Sequence, residues 1–325
     1  MNPVNSLEST LKESYNYGSS CITSSRCENS QRAFLFGYPI AHSMAPLLHA
    51  TLFKGVSLPW EYSLLETQDS SEFLPALKQQ NVIGCAVTMP YKVTMMSAVD
   101  EVTDEGRIIG AINTVFLRKS ADGSTKYIGT NTDCIGVREA FLQNCPGIVS
   151  KSTGNPGLVI GGGGACRAAI YALWKWMGVK EIYVVNRLES EIRAIIDSFK
   201  ATDFGGELIW VSSVNQAAAL EAPVLVVGTV PDFPPKEEGE ILARNIVQTF
   251  LDKEEKGYIL EMCYHPRPHT AFFNLGERAG WKMLCGTESM IWQGVAQQIL
   301  WTELALEKFN LDGAARVITE SLDKH

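Results

Sequence analysis

The sequence has no hydrophobic run close to the roughly 18 residues that a membrane-spanning helix requires. Residues 1–30 are polar and rich in Ser and Asn, without the basic start or apolar stretch of a signal peptide, and they predict a disordered tail. Lys and Arg form no cluster, and the formal net charge is -8, which argues against a nucleic-acid partner. We therefore expect a cytoplasmic protein that binds neither a membrane nor nucleic acid.

Patterns typical of disulfide frameworks and metal sites are missing too. The eight cysteines include no C-x-x-C pair, and Cys85, Cys134 and Cys263 lie inside apolar segments, which favours buried, reduced thiols. His265 and His269 are four residues apart, but the prolines beside them disfavour a helix that would present both to one metal. We predict no metal site.

The chain does have enough apolar residues for two domains, since 46% of its 325 residues are hydrophobic and 20% are charged. From Arg32 onwards, short apolar segments alternate with helix-like ones, which predicts an α/β fold with mainly parallel sheets. A stretch at 146–156 that contains Gly, Ser and Pro is typical of a linker.

A glycine-rich segment follows this linker. Leu158–Ile160 is typical of a short buried strand, four glycines come next, and a helical pattern then extends to Trp176. In this context Gly161 allows a tight turn, Gly163 allows close approach of a pyrophosphate, and the helix N-terminus favours the phosphates. The alternative is an ordinary tight turn. A second strand that ends before Asn186 and Arg187, where a Rossmann unit contacts the adenosine ribose, favours dinucleotide binding.

Polar residues lie at the ends of several predicted strands in the first half, and open α/β sheets bind ligands beyond the carboxyl ends of their strands. They are Ser43, Thr88, Lys92, Asn113 and Asp133. A lysine beside a carboxylate can exchange a proton with a substrate hydroxyl. The alternative is that Lys92 and Asp133 are two solvated loop charges, and their spacing alone does not bring them together.

Six segments, in the family's order over about residues 32–303, resemble the shikimate/quinate dehydrogenases. They are Gly37-Tyr-Pro-Ile-Ala-His-Ser43, Val87-Thr-Met-Pro-Tyr-Lys92, Gly110-Ala-Ile-Asn-Thr114, Asn131-Thr-Asp133, Gly161-Gly-Gly-Gly-Ala-Cys-Arg167 and Asn186-Arg187. The resemblance implies a substrate domain over 31–145, completed by C-terminal helices over 289–325. A Rossmann domain over 146–288 would bind NAD or NADP. The implied reaction interconverts a ring hydroxyl and a ketone of quinate or shikimate.

The resemblance also implies roles for individual residues. Lys92 would be the acid/base, assisted by Asp133, and Ser43 would bind the substrate carboxylate. The ring hydroxyls would be held by Thr88, Asn113 and Gln293, and Tyr264 would contact the substrate near the nicotinamide. The implied cofactor residues are Gly161, Gly163, Gly164, Ala165, Asn186, Arg187, Thr229 and Gly286. Their alternatives are turn residues, a helix cap at Ser43 and an exposed helix residue at Gln293.

The chain departs from the family pattern at three places. Ala45 replaces a hydroxyl residue that usually helps to bind the carboxylate, so the pocket is expected to use another donor or to prefer quinate or a related acid. Glu261 stands where aspartate is common. Arg187 suits a 2′-phosphate, whereas Leu188 and the nearby glutamates do not. Together these residues slightly favour NADP over NAD as the predicted cofactor.

Several alternatives stay open from the sequence. The role could be quinate breakdown, shikimate synthesis, or that of a paralogue acting on a related cyclic polyol acid. The lack of other fused enzymes of aromatic biosynthesis favours quinate breakdown or a paralogue over shikimate synthesis. A non-catalytic, ligand-sensing regulator is a further alternative, although the Lys92–Asp133 pair and the intact glycine loop argue against it. The expected partner is a small hydroxylated ring carboxylate, and the expected oligomeric state is a monomer or homodimer.

Overall fold

The computed structural model describes residues 6–12 and 16–322. The chain divides into two compact units. The first comprises Met1–Thr132 and Ile291–His325, and the second comprises Asp133–Met290. Each contains a six-stranded sheet, which confirms the predicted α/β class.

The first unit begins with a mixed sheet and its helices. The helices are α1 (Leu7–Lys12), α2 (Ser24–Glu28), α3 (Ala45–Gly55), α4 (Phe73–Leu77) and α5 (Asp104–Ile109). The strands are β1 (Arg32–Gly37), β2 (Glu61–Glu66), β3 (Val82–Val87), β4 (Glu101–Val102), β5 (Thr114–Lys119) and β6 (Thr125–Thr130). Their order is β2-β1-β3-β5-β6-β4. Only β5 runs against its neighbours.

Burial and turn residues account for two features of this sheet. Every residue of β3 is buried, as an apolar central strand requires. β5 and β6 pair as an antiparallel hairpin, and the turn between them contains Asp122 and Gly123. The Asp122 carboxylate accepts the backbone N–H of Ser124 at 2.9 Å, and Gly123 has a φ of +84°, a conformation that favours glycine.

The second unit is a doubly wound parallel sheet. Its helices are α6 (Asp133–Asn144), α7 (Ile148–Ser152), α8 (Gly164–Met177), α9 (Glu189–Lys200), α10 (Val214–Ala219), α11 (Glu238–Leu251) and α12 (Ala271–Arg278). Its strands are β7 (Gly157–Ile160), β8 (Glu181–Val185), β9 (Glu207–Trp210), β10 (Leu225–Gly228), β11 (Tyr258–Glu261) and β12 (Lys282–Cys285). All pairings are parallel, in the order β12-β11-β10-β7-β8-β9. The chain then continues through α13 (Gly286–Thr302) and α14 (Leu311–Leu322).

The unit boundaries differ from the predicted domain boundaries at 145/146 and 288/289. The contacts divide the chain at 132/133 and 290/291 instead. Helix α6, which the sequence assigned to the first domain, packs against α8 in the second unit. The predicted linker at 146–156 contains helix α7, and the Ser152 hydroxyl there is buried and donates to Met177 O at 2.6 Å.

The prediction of a disordered tail over residues 1–30 is wrong for its described part. Two short helices form there, Leu7 and Cys21 are buried, and Trp60 Nε1 donates to the Arg26 carbonyl at 3.0 Å. These contacts anchor the segment, although its composition is polar. The rest of the predicted tail, 1–5 and 13–15, lies outside the described residues.

Across the described ranges, no helix is long and apolar enough to cross a membrane. All eight cysteines are free thiols.

Candidate functional site

Backbone hydrogen bonds gather the predicted polar residues of the first unit at one sheet edge. Thr88 N, just after β3, donates to Phe36 O of β1 at 2.9 Å. Val87 N donates to Asn113 O at 2.7 Å, and Asn113 N donates to Thr130 O of β6 at 3.0 Å. Thr88 and Asn113 therefore lie where four neighbouring strands, β1, β3, β5 and β6, begin or end.

Lys92 lies at the same edge, on the loop that follows β3. Its carbonyl accepts the Ile112 N–H at 2.7 Å, next to Asn113. The preceding residue anchors the loop, because the Tyr91 ring stacks on Phe36 with centroids 4.5 Å apart and its hydroxyl donates to Thr67 O at 3.1 Å. The half-buried Lys92 side chain is thus carried on a fixed backbone.

The Asn113 amide is the most highly connected polar group at this edge. Its Oδ1 accepts from Thr132 N at 2.6 Å, from Thr114 Oγ1 at 2.9 Å and from Thr132 Oγ1 at 3.2 Å. Its Nδ2 donates to Thr132 Oγ1 at 3.0 Å and to Gln293 Oε1 at 3.3 Å. The structure therefore brings together Asn113 and Gln293, which the sequence placed in one substrate site although 180 residues separate them.

Ser43 follows β1 and precedes α3. Its hydroxyl accepts the Ala45 N–H at 3.2 Å, next to the start of the helix, although the N-cap position itself is held by Met44 and not by Ser43. The side chain is half-buried. The Ala45 methyl group packs in an apolar cluster with Leu35 and Phe53, so this position belongs to the core of the first unit.

Asp133 and Tyr264 belong to the second unit. Asp133 is the first residue of α6 and directly follows Thr132 of the Asn113 cluster in the chain. Tyr264 lies on the half-buried segment after β11.

The glycine-rich segment of the second unit forms the predicted strand, turn and helix. Gly161 follows β7 with a φ of +135°, and a Cβ there would overlap the Thr229 hydroxyl. A Cβ on Gly163 would meet no atom within 4 Å, so the loop is open where a phosphate would approach. Gly164 and Ala165 begin α8, whose 14 residues give the N-terminus a positive dipole.

Polar groups on neighbouring strands complete this loop. The Thr229 hydroxyl, after β10, donates to Ile160 O at 2.7 Å. Asn186, after β8, donates from Nδ2 to Glu191 Oε2 at 2.5 Å and to Leu188 O at 3.3 Å. The Thr229 bond holds the backbone just before the glycines, and the Asn186 bonds hold its amide next to Gly162.

Arg187 and Gly286 are the remaining predicted cofactor residues. Arg187 is half-exposed and paired with Glu240 of α11. Gly286 begins α13, and a Cβ there would overlap the carbonyl oxygens of Glu261 and Met262, which explains the glycine.

Sequence reasoning missed two members of the Asn113 cluster, Thr114 and Thr132. Both lie inside quoted motifs, but the sequence does not show that a threonine next to a functional residue points to the same side. It also missed Gln297, whose Nε2 donates to Thr114 Oγ1 at 2.9 Å. Its spacing of four residues from Gln293, one helical turn, was the signal available.

Comparisons with known proteins agree with this architecture. The model of the shikimate dehydrogenase substrate binding domain matches residues 35–115. Quinate dehydrogenase of Emericella nidulans is 43% identical over 286 residues, which cover 83% of this chain and 87% of that protein. The chain belongs to the shikimate/quinate dehydrogenase family. As a member of this family it is an NAD(P)-dependent dehydrogenase.

Two solved structures of shikimate/quinate dehydrogenases have the same fold. Shikimate 5-dehydrogenase of Thermus thermophilus, in complex with NADP(H) and shikimate, is 25% identical with a TM-score of 0.68, and the match covers 90% of this chain and 100% of that one. Quinate dehydrogenase of Corynebacterium glutamicum, in complex with NAD, is 22% identical with a TM-score of 0.73, again over 90% and 100%. At 22% identity, the similarity to the Corynebacterium glutamicum enzyme shows only that the two chains share a fold.

Proposed function

We propose that this dehydrogenase interconverts a ring hydroxyl and a ketone of quinate or shikimate, small hydroxylated ring carboxylates, by hydride transfer with a nicotinamide dinucleotide. The observation that carries the proposal is the Asn113 cluster. Amide and hydroxyl groups of Asn113, Thr132 and Gln293 meet within hydrogen-bond distance at one sheet edge. Such groups suit a substrate that presents several hydroxyls.

In this proposal, each polar group at the edge has one task. Asn113, Gln293 and Thr88 bind ring hydroxyls, and Ser43 binds the carboxylate through its hydroxyl. Lys92 exchanges a proton with the hydroxyl that is oxidised, and Asp133 holds the ammonium group in place. The supported loop backbone at Lys92 fits this task, because proton transfer requires heavy atoms within about 3 Å of each other.

The second unit fits a dinucleotide. Gly161, Gly163, Gly164 and Ala165 would hold the pyrophosphate, since the open Cβ position at Gly163 leaves room for it. Asn186 and Thr229 fix the loop, while Tyr264 and Gly286 would lie near the nicotinamide. When bound, the nicotinamide accepts or returns the hydride.

The choice between NAD and NADP depends on Arg187. A guanidinium with no partner would favour the 2′-phosphate of NADP, as the sequence suggested. Here Arg187 is paired with the Glu240 carboxylate, and a phosphate would have to displace that carboxylate or accept its repulsion. We therefore propose that NAD binds more tightly than NADP.

Initial rates with quinate and with shikimate, each with NAD and with NADP, test the proposal. We expect turnover of at least one acid, and a faster rate with NAD. Dinucleotide binding without turnover of either acid would contradict the proposed reaction and would favour a sensor or another ring substrate.

A further inference from the structure

A buried histidine lies outside the residues that the proposed reaction uses. His49, on α3, has no exposed surface. Its ring stacks on Tyr62 with centroids 4.2 Å apart, and Trp301 contacts it at 5.1 Å. Burial lowers the pKa of His49 to about 3, because the charged ring would lose its hydration. The imidazole is therefore neutral near pH 7 and carries a single N–H.

Two glutamines of α13 determine which ring nitrogen carries that proton. Gln298 Nε2 lies 2.9 Å from Nδ1, and since an amide nitrogen only donates, Nδ1 accepts. The N–H is consequently on Nε2, which donates to Gln297 Oε1 at 3.1 Å. The histidine thereby fixes the Gln297 amide with its oxygen towards the ring and its nitrogen away from it.

The fixed amide directs a second pair of hydrogen bonds. Gln297 Nε2 donates to Thr114 Oγ1 at 2.9 Å. The Thr114 hydroxyl can then donate to Asn113 Oδ1, also at 2.9 Å, while the Thr132 hydroxyl lies 3.0 Å from Thr114 Oγ1. Hydrogen bonds therefore run in one direction from the histidine ring to the Asn113 oxygen, through groups that are all at least 97% buried.

We propose that His49, through Gln297 and Thr114, acts together with the Thr132 N–H to hold the Asn113 amide with its NH₂ group on the side of Gln293, where it can exchange the 3.3 Å bond to Gln293 Oε1 for a bond to a substrate oxygen. The opposite orientation would place that NH₂ group against the Thr114 hydroxyl and the Thr132 N–H, both of which donate. His49 and Gln297 are thus positioning residues for substrate binding. This inference rests on the proposed function, because Asn113 must contact the substrate for its orientation to affect binding.

A double-mutant cycle tests the inference, with the faster of quinate and shikimate as the substrate. His49→Phe keeps the stacked ring but removes both nitrogens. We expect its KM for the ring acid to rise about tenfold, the effect of one well-oriented hydrogen bond, and kcat to change less. Asn113→Ala should raise KM on its own. In the Asn113→Ala background, His49→Phe should have little further effect, because there is no amide left to orient.

Three further variants protect the test against loss of folding. Thr114→Val removes the last link without changing the shape of the side chain, and it should reproduce the rise in KM. His49→Gln offers an amide N–H to Gln297 and should restore KM to within about threefold. Thr51→Val is the matched control, since within the described part of the chain the Thr51 hydroxyl on α3 bonds to Leu47 O of the same helix and to no other group, and its KM should stay unchanged. Circular dichroism and urea unfolding verify that each variant is folded.

The outcomes separate the inference from the proposed function. If Asn113→Ala raises KM but folded His49→Phe and Thr114→Val do not, the positioning role is overturned and the substrate site stands. An equal effect of His49→Phe with and without Asn113 also overturns it, because a purely structural defect adds independently. If Asn113→Ala leaves KM unchanged, the proposed substrate site fails, and the inference fails with it.

Discussion

The Glu240 carboxylate is paired through Oε1 with Nη1 of Arg187. Its other oxygen, Oε2, accepts the backbone N–H groups of Lys236 at 2.8 Å and Glu237 at 3.1 Å. These two backbone bonds and Arg187 lower the pKa of Glu240 to about 2, so the group is charged at any working pH. A fixed negative charge thus accompanies Arg187, the residue that we propose would face the 2′-phosphate of NADP.

Glu240→Gln should shift the dinucleotide preference towards NADP. Removal of the charge releases Arg187 for the phosphate, and we expect NADP to bind about fivefold more tightly, the upper range for an exposed ion pair. NAD affinity should change less than twofold. The two Kd values can be measured by isothermal titration calorimetry. Glu238→Gln, which removes a charge in the same turn of α11, is the control. An equal change in the NADP Kd of the control would contradict the role of Glu240. So would an equal gain in affinity for NAD and NADP in Glu240→Gln.

Lys92→Ala should remove nearly all turnover, by about a thousandfold, because general acid–base catalysis contributes roughly 10²–10⁴ to a rate. The dinucleotide Kd should be unchanged, since Lys92 lies at the sheet edge of the first unit and the glycine loop lies in the second. Steady-state rates and cofactor fluorescence measure the two effects. A variant that retains a tenth of the rate would show that Lys92 is not the acid/base.

The sequence predicted well those features that depend on local chemistry. The glycine segment between Ile160 and Gly164 needs residues without a side chain, whatever surrounds it, so its strand, turn and helix were predictable. The β5–β6 hairpin was predictable for the same reason, through Asp122 and Gly123. In the first unit, the motifs that ended strands identified Thr88 and Asn113, which the structure places at one edge.

Features that depend on contacts distant in sequence were not predictable. The contacts of His49 were not predictable, because nothing local indicates that Gln297, 248 residues away, accepts its proton. The pairing of Arg187 with Glu240 was not visible in the sequence either, because the two residues are 53 positions apart. The polar tail was predicted to be disordered because its anchors, such as Trp60, belong to another segment.

Ala45→Ser should leave the KM for a ring acid unchanged within about twofold. The sequence suggested that a hydroxyl at this position would tighten a carboxylate, but the Ala45 side chain packs among apolar groups. Burying a hydroxyl there should instead lower the free energy of unfolding by about 1 kcal/mol. Steady-state kinetics and urea unfolding check the two effects. A KM that falls tenfold would show that position 45 contacts the carboxylate after all.

Glu261 is a buried carboxyl group at the end of β11. Its side chain is 1% exposed, and Oε2 has no hydrogen-bond partner among the described residues. Burial, with the nearby negative charge of Asp232, raises the pKa of Glu261 from 4.5 to about 8. Between these two values the folded chain keeps a proton that the unfolded chain releases. The free energy of unfolding therefore falls as pH rises through this window.

Glu261→Gln should remove that pH dependence. The amide is neutral at every pH, so the variant lacks a slope of about 1.4 kcal/mol per pH unit between pH 4.5 and pH 8. Its stability relative to the unchanged protein should improve steadily over this range and be most favourable near pH 8. Urea unfolding at pH 5, 6, 7 and 8 measures the difference, with the exposed Glu238→Gln as the control. Parallel pH curves for Glu261→Gln and the unchanged protein would show that Glu261 is already ionised in the folded state, and hence that the second unit supplies its carboxylate with a partner.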